Sequence, residues 1–207
     1  MTVHCRWLGR TQYSEIERLQ EQIRQQVLLG DTDRILLTEH DSVYVRGRRE
    51  FSEDSATVIN GPNGVVPIVS SKRGGLQTYH GPGQLMAYVI MDIKRRGIGI
   101  PDLVWTMEQA MIDWLDTIGV HGERVEGAPG IWVDGYKIGA LGLHFKRWVS
   151  MYGLCLNLDP NLRFFKSIRP CGYSGELVTS VRKIRQIELS PHDVWEDFSV
   201  ILTRLVC

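Results

Sequence analysis

Apolar residues recur at helical spacing in three stretches of the chain. In the first, Ile16, Leu19, Ile23 and Val27 fall on one face, and Ser14 with Glu17 reads as a capping box that starts the helix. A second helix is predicted from Pro101, well placed for a first helical turn, through Leu103, Met107, Ala110, Met111 and Trp114 to a stop near Gly119. The third opens at Ser190-Pro191 with Asp193 and carries Val194, Trp195, Phe198, Ile201, Leu202 and Leu205 on its apolar face. Met and Trp at this spacing read as core. Between the helices, the runs 34–38, 42–46, 65–70, 85–93, 130–133, 136–144 and 148–158 read as strands. Asp134-Gly135, set between IWV and YKIGALGL, predicts a two-residue hairpin. Strand runs interrupted by single helices imply an α+β (mixed α/β) fold rather than regular βαβ alternation. With no repeat, linker or composition break, one domain over residues 1–207 is expected.

Charge narrows the function. Lys+Arg and Asp+Glu both total 24, so the chain has no global field to hold nucleic acid. The local basic clusters at 94–96, 46–49 and 146–147 read as solvated surface, or as docking sites for an acidic protein. The four cysteines, Cys5, Cys155, Cys171 and Cys207, form no C-x-x-C pair and are too few for a disulfide scaffold, which implies reduced thiols. The first residues lack the apolar core of a signal peptide, and no run approaches the roughly 20 apolar residues of a membrane span. The expectation is a soluble, cytoplasmic protein. No exposed apolar heptad seam is evident, so a monomer is expected.

Three segments use residue types that a plain core would not choose. Arg73, Gly74, Gly75, Leu76, Gln77, Thr78, Tyr79 and His80 lead into Gly-Pro-Gly-Gln84, after one strand and before another. The glycines permit close backbone approach, and Arg73, Thr78, Tyr79 and His80 add donors around it. The loop is not a Walker motif, because the Gly-Lys-Ser/Thr ending is missing. A sharply turned loop with a satisfied histidine remains the alternative.

The second segment is Lys137-Ile-Gly-Ala140-Leu141-Gly142. Strand alternation predicts Lys137 on the face of Gly139 and Leu141, with Ala140 and Gly142 opposite. A lysine just after a turn is ordinarily an exposed charge; the small residues that follow it favour a ligand approach. The third is Pro170-Cys171-Gly172, where a cysteine sits on a bend with Lys166 and Arg169 near enough in sequence to favour its thiolate. On these residues alone Cys171 is either a nucleophile or a buried small hydrophobe, whereas Cys5, Cys155 and Cys207 are read as hydrophobes. His80, His144, Cys155 and Cys171 lack the close spacing of a structural zinc site, so no metal is expected.

Taken together, LLTEHDSVYVRGR (36–48), RGGLQTYHGPGQL (73–85), APGIWVDGYKIGALGL (128–143), GLCLNLD (153–159) and PCG with the following LVTSV (170–181) resemble the lipoyl(octanoyl) transferase family. The resemblance implies a catalytic domain akin to biotin and lipoate protein ligases, a mixed β-sheet flanked by helices. It implies Cys171 as the acyl-thioester nucleophile and Lys137 as the group that lowers its pKa. It also implies an acyl pocket lined by Arg73 through His80, by Ala140, Leu141 and Gly142, and by Gly153, Leu154 and Cys155.

By the same resemblance the donor is an octanoyl-phosphopantetheine acyl carrier protein. The acceptors are lysines of lipoyl domains, in 2-oxoacid dehydrogenase E2 subunits and the glycine cleavage H protein. No cofactor, nucleic acid or membrane is implied. The sequence departs from the family at Tyr152, where a histidine is usual, and at Tyr173, where an aliphatic residue is common. An ATP-dependent lipoate or biotin ligase would use the same scaffold without needing the cysteine. A relative that moves octanoyl groups between carrier proteins keeps its nucleophile elsewhere in the chain, and a non-catalytic acyl-protein binding module would need neither Cys171 nor Lys137.

Overall fold

The computed structural model describes residues 2–50, 57–168 and 175–206. Cys171, its neighbours Arg169, Pro170, Gly172 and Tyr173, and Cys207 lie outside the described residues.

The strands are β1 (Val3–Thr11), β2 (Asp33–His40), β3 (Val43–Arg46), β4 (Val58–Gly61), β5 (Gly64–Ser70), β6 (Thr78–His80), β7 (Gln84–Ile90), β8 (Glu123–Val125), β9 (Ala128–Val133), β10 (Tyr136–Lys146) and β11 (Val149–Asn157). The helices are α1 (Tyr13–Leu28), α2 (Ile100–Thr117), α3 (Val181–Arg185) and α4 (Pro191–Val206). A seven-stranded sheet runs β1-β2-β7-β11-β10-β9-β8, and a four-stranded sheet runs β4-β5-β3-β6. Each is mixed: β1 lies parallel to β2 and β3 parallel to β5, and the other pairs are antiparallel.

Alternation along the central strands assigns the two faces of the large sheet. Ile35, Leu37, Leu85, Ala87, Val89, Leu154 and Leu156 pack against the apolar stripes of α2 and α4, including Met107, Met111, Phe198 and Leu202. Leu36, Met86, Tyr88, Ile90, Met151 and Cys155 face the other way, toward Ile16 and Val27 of α1. Full burial of a Leu, Ile, Phe or Met side chain contributes roughly 1.5–3 kcal/mol, so the first face carries much of the stability.

The three helices and the β9–β10 hairpin stand where the apolar pattern predicts them. Asp134 (φ 50°) and Gly135 (φ 78°) adopt the left-handed conformations that a two-residue hairpin turn requires. α4 begins with a reciprocal cap, Ser190 and Asp193 each accepting from the other's backbone N–H.

The predicted cap of α1 does not form. The helix already includes Tyr13, and Gln12 precedes it with no side-chain cap; Glu17 bonds instead to the distant phenol of Tyr152. β1 was not among the predicted strands, although half-buried Val3, Cys5 and Trp7 alternate with exposed His4 and Arg6; its pairing with β2 becomes irregular between Trp7 and Arg10. The cluster at 94–96 is not simply solvated surface. Arg95 and Arg96 both pair with buried Asp33, at 2.7 and 2.6 Å, and tie the end of β7 to the start of β2.

Candidate active site

Lys137 enters from the first turn of β10, and a break in strand pairing aims it. Register with β9 shifts between Lys137 and Gly139, so strict alternation fails there. Ile138 is fully buried in the main core, and a Cβ on Gly139 would meet Met111 Sδ at 2.6 Å, also in that core. The bulge therefore puts Lys137 on the face of Ala140 and Gly142, opposite to the side expected from alternation. Lys137 is 9% exposed, and its Nζ donates to Pro129 O at 2.6 Å and lies 5.3 Å from the Trp132 ring centre. Its stem passes over Gly130, where a Cβ would come within 2.7 Å of Lys137 Cε; with φ at 116°, that position suits only glycine.

Lys137 lines a cavity with Thr78, Gln84, Ala140, Cys155, Asn157, Phe165 and Val178. Both ends of the segment that contains Cys171 close on this cavity. Phe165 and Ile168 precede the segment and share one apolar cluster with Val178, which follows it. Thr179 N–H then donates to Lys137 O at 2.9 Å, and Asn157 Nδ2 donates to Thr179 O at 3.0 Å.

Thr78, Ala140 and Cys155 also line a neighbouring, narrow cleft. Arg73, His80, Leu141, Gly142, Gly153 and Leu154 line the cleft as the resemblance implies, joined by Tyr13, Met86, Tyr88 and Tyr152. A wider, open hollow nearby, rimmed by Glu17, Arg18, Arg48 and Lys72, does not touch Lys137.

The rest of the glycine-rich loop serves as support. Arg73 donates to the carbonyls of Val45, Leu76 and Gly74 at 2.6, 2.7 and 3.1 Å, which ties the loop to β3. Gly74 N–H donates to Leu143 O in β10, and a Cβ on Gly47 would collide with the Gly75 carbonyl. Gly74, Gly75, Leu76 and Gln77 thus do not line the cleft. Tyr79 alternates away from Thr78 and His80 and stacks on Phe164 with ring centres 4.5 Å apart. Of the lining residues, Tyr13, Met86 and Tyr88 carried no signal in sequence beyond ordinary apolar patterning.

Beneath the cleft lies a buried histidine–tyrosine cluster. His40 Nε2 and Tyr88 Oη are 2.6 Å apart, and His40 Nδ1 is 3.1 Å from Thr11 O. Because a carbonyl only accepts, Nδ1 carries the proton and Nε2 accepts from the phenol. Burial holds His40 down to about 4, against the raising pull of Thr11 O and Asp41. Burial, then the charges of Arg73 and His40, push His80 far below its ordinary value, so both rings are neutral at pH 7. Burial alone pushes the Cys155 thiol up, which suits a wall and not a nucleophile.

The cluster predicts acid sensitivity. An unfolded chain takes up the His40 proton near 6.5, whereas the folded one takes it up only near 4. The stability His40 supplies is therefore complete above pH 6.5 and is lost as pH falls toward 4, by about 2 kcal/mol at pH 5. Glu17, raised by burial, works in the opposite sense, so the comparison must be made against a variant. Urea unfolding at pH 7.5 and 5 is expected to show a smaller drop in midpoint for His40→Gln than for wild type. Equal drops would mean that the imidazole is not the sensor.

Known structures carry the same architecture. Lipoate-protein ligase A bound with ATP superposes with a TM-score of 0.76 at 16% identity, covering 99% of this chain and 84% of that one. Biotin protein ligase from Aquifex aeolicus in complex with biotin and ATP gives 0.57 at 10% identity, covering 98% and 70%. The fold is thus that of the lipoate and biotin protein ligase catalytic domains. In sequence, an octanoyltransferase from Thiobacillus denitrificans is 42% identical over 179 residues, which is 86% of this chain and 80% of the relative. The family model for the lipoyl protein ligase A/B catalytic domain matches residues 12–201, and the chain belongs to that family.

Proposed function

We propose that this chain is an acyltransferase that moves an octanoyl group from an acyl carrier protein to a lysine of lipoyl domains, through a thioester on Cys171. It would act as a single catalytic domain, a cytoplasmic monomer without a cofactor. Among the described residues, no helix is long and apolar enough to cross a membrane. The observation that carries the reading is Lys137. It is a cation set at the mouth of an apolar cleft, in a cavity bounded by both ends of the segment that bears Cys171.

A free thiol with pKa near 8.5 is mostly protonated at neutral pH, and an ammonium beside it in a partly dry site favours the thiolate. Cys171 then attacks the thioester carbonyl of the donor. The tetrahedral adduct expels the phosphopantetheine thiolate, which takes a proton from Lys137. Once Cys171 is acylated its charge is gone, and the neutral Lys137 amine is able to accept a proton. The lipoyl-domain lysine attacks as a free amine, loses its proton to Lys137 and releases the Cys171 thiolate. The sum is one thioester and one amine giving one amide and one thiol.

The test is intact-protein mass after incubation with octanoyl-carrier protein in the absence of ATP. A single octanoyl adduct is expected on the wild type, cleaved by hydroxylamine and absent from Cys171→Ser, which should also lose transfer altogether. A Cys171→Ser protein with near-normal turnover would sink the covalent scheme. Activity that instead demanded ATP and free octanoate would mark a ligase.

A further inference from the structure

The cleft and the open basin next to it are separate hollows, and among the described residues Tyr152 alone lines both. Its φ of 65° lies in the left-handed region, which disfavours every side chain with a Cβ. Three hydrogen bonds hold it there. Tyr152 N–H donates to buried Gln20 Oε1 at 2.8 Å. Its phenol donates to Glu17 Oε1 at 2.7 Å and accepts from Lys72 N–H at 3.1 Å. A tyrosine kept in a disfavoured conformation by bonds to α1 and to the loop after β5 marks a position where the surroundings dictate the placement.

The cleft also has a direction. Away from Tyr152, the cleft shares Thr78, Ala140 and Cys155 with the cavity of Lys137. An acyl chain with its carbonyl beside Lys137 therefore extends its tail toward Tyr152.

We infer that Tyr152 is the gate that sets acyl-chain length: its ring ends the cleft and shuts the tail out of the basin beyond. This deepens the acyl-transfer reading and rests on it. A longer chain would have to displace the ring and break its bonds to Glu17 and Lys72. Glycine at 152 fits the left-handed backbone, keeps the N–H donated to Gln20 and joins the two hollows. Met151 and the aliphatic stems of Arg18, Arg48 and Lys72 then offer apolar wall to a longer tail. Each methylene newly buried there is worth roughly fourfold in binding.

The experiment compares kcat/KM for octanoyl-, dodecanoyl- and hexadecanoyl-carrier protein in wild type, Tyr152→Phe and Tyr152→Gly. Calorimetric binding of free octanoate and dodecanoate runs alongside. Tyr152→Phe keeps the ring but loses its bonds to Glu17 and Lys72, so its dodecanoyl-to-octanoyl ratio is expected between those of wild type and Tyr152→Gly. In Tyr152→Gly the dodecanoyl-to-octanoyl ratio should rise at least tenfold, with dodecanoate binding tightening in parallel. An unchanged ratio in a Tyr152→Gly protein with wild-type circular dichroism overturns the gate. Should that variant not fold, Tyr152→Asn, which tolerates the left-handed backbone and carries no ring, makes the same test, and an unchanged ratio there is equally fatal. A wild type that transfers from no donor would remove the acyl-transfer reading, while the calorimetric length cut-off would still decide the gate.

Discussion

Lys137→Arg is expected to fold like the wild type and to lose octanoyl transfer about 10³-fold, in both half-reactions, as general acid–base groups commonly contribute 10²–10⁴. The charge survives the substitution but the proton chemistry does not. A guanidinium with pKa above 12 neither protonates the departing thiolate well nor accepts a proton from the incoming amine. The site is also shaped for an ammonium. The lysine stem lies over Gly130, Nζ meets Pro129 O at 2.6 Å, and Trp132 closes one side, which leaves little room for a planar fork. Single-turnover acylation of the enzyme, followed by transfer from the isolated acyl-enzyme, separates the two steps. A loss under tenfold in either one would remove Lys137 from that step.

The largest effect on stability is expected from Gly153→Ala, about 3 kcal/mol, at the upper end of what overpacking a core costs. Gly153 pairs with Tyr88 at the centre of the large sheet, and a Cβ there would fall well inside contact with Ala87 O. The obstacle is backbone, not the end of a flexible side chain, so β7 and β11 must separate and weaken their ladder. Urea denaturation measures this directly as a lowered midpoint. A midpoint within experimental error of wild type would show that the two strands are not packed as closely as the contact requires. Gly153 also lines the cleft proposed to hold the acyl chain, so the folded fraction of the variant should bind octanoate less well.

Most of the frame was readable along the chain because it depends on local periodicity. The apolar stripes of α1, α2 and α4 repeat every three to four residues, and each becomes the buried face of its helix. Asp134-Gly135 demands its turn for conformational reasons that no distant contact alters. β1 and β4 were missed although both alternate exposed and half-buried positions: β1 loses its period at Leu8-Gly9, and β4 is only four residues long. The capping box at Ser14 failed for the opposite reason: a strong local signal lost to a tertiary bond, from Tyr152 to Glu17.

The chemistry divides along the same line. Residue types and their order along the chain made Cys171, Lys137 and the glycine-rich loop candidates, and the resemblance to the lipoyl(octanoyl) transferase family implied their roles. The side of the sheet that Lys137 faces was decided by the bulge before Gly139, a pairing event between two strands that reverses what alternation alone dictates. Tertiary structure likewise turned Tyr79 into a support while Thr78 and His80 line the cleft, and it put Tyr13, Tyr88 and Tyr152 around that cleft. A cleft exists only where elements distant in sequence leave a gap between them, and no local pattern encodes the width of that gap or the residue that ends it.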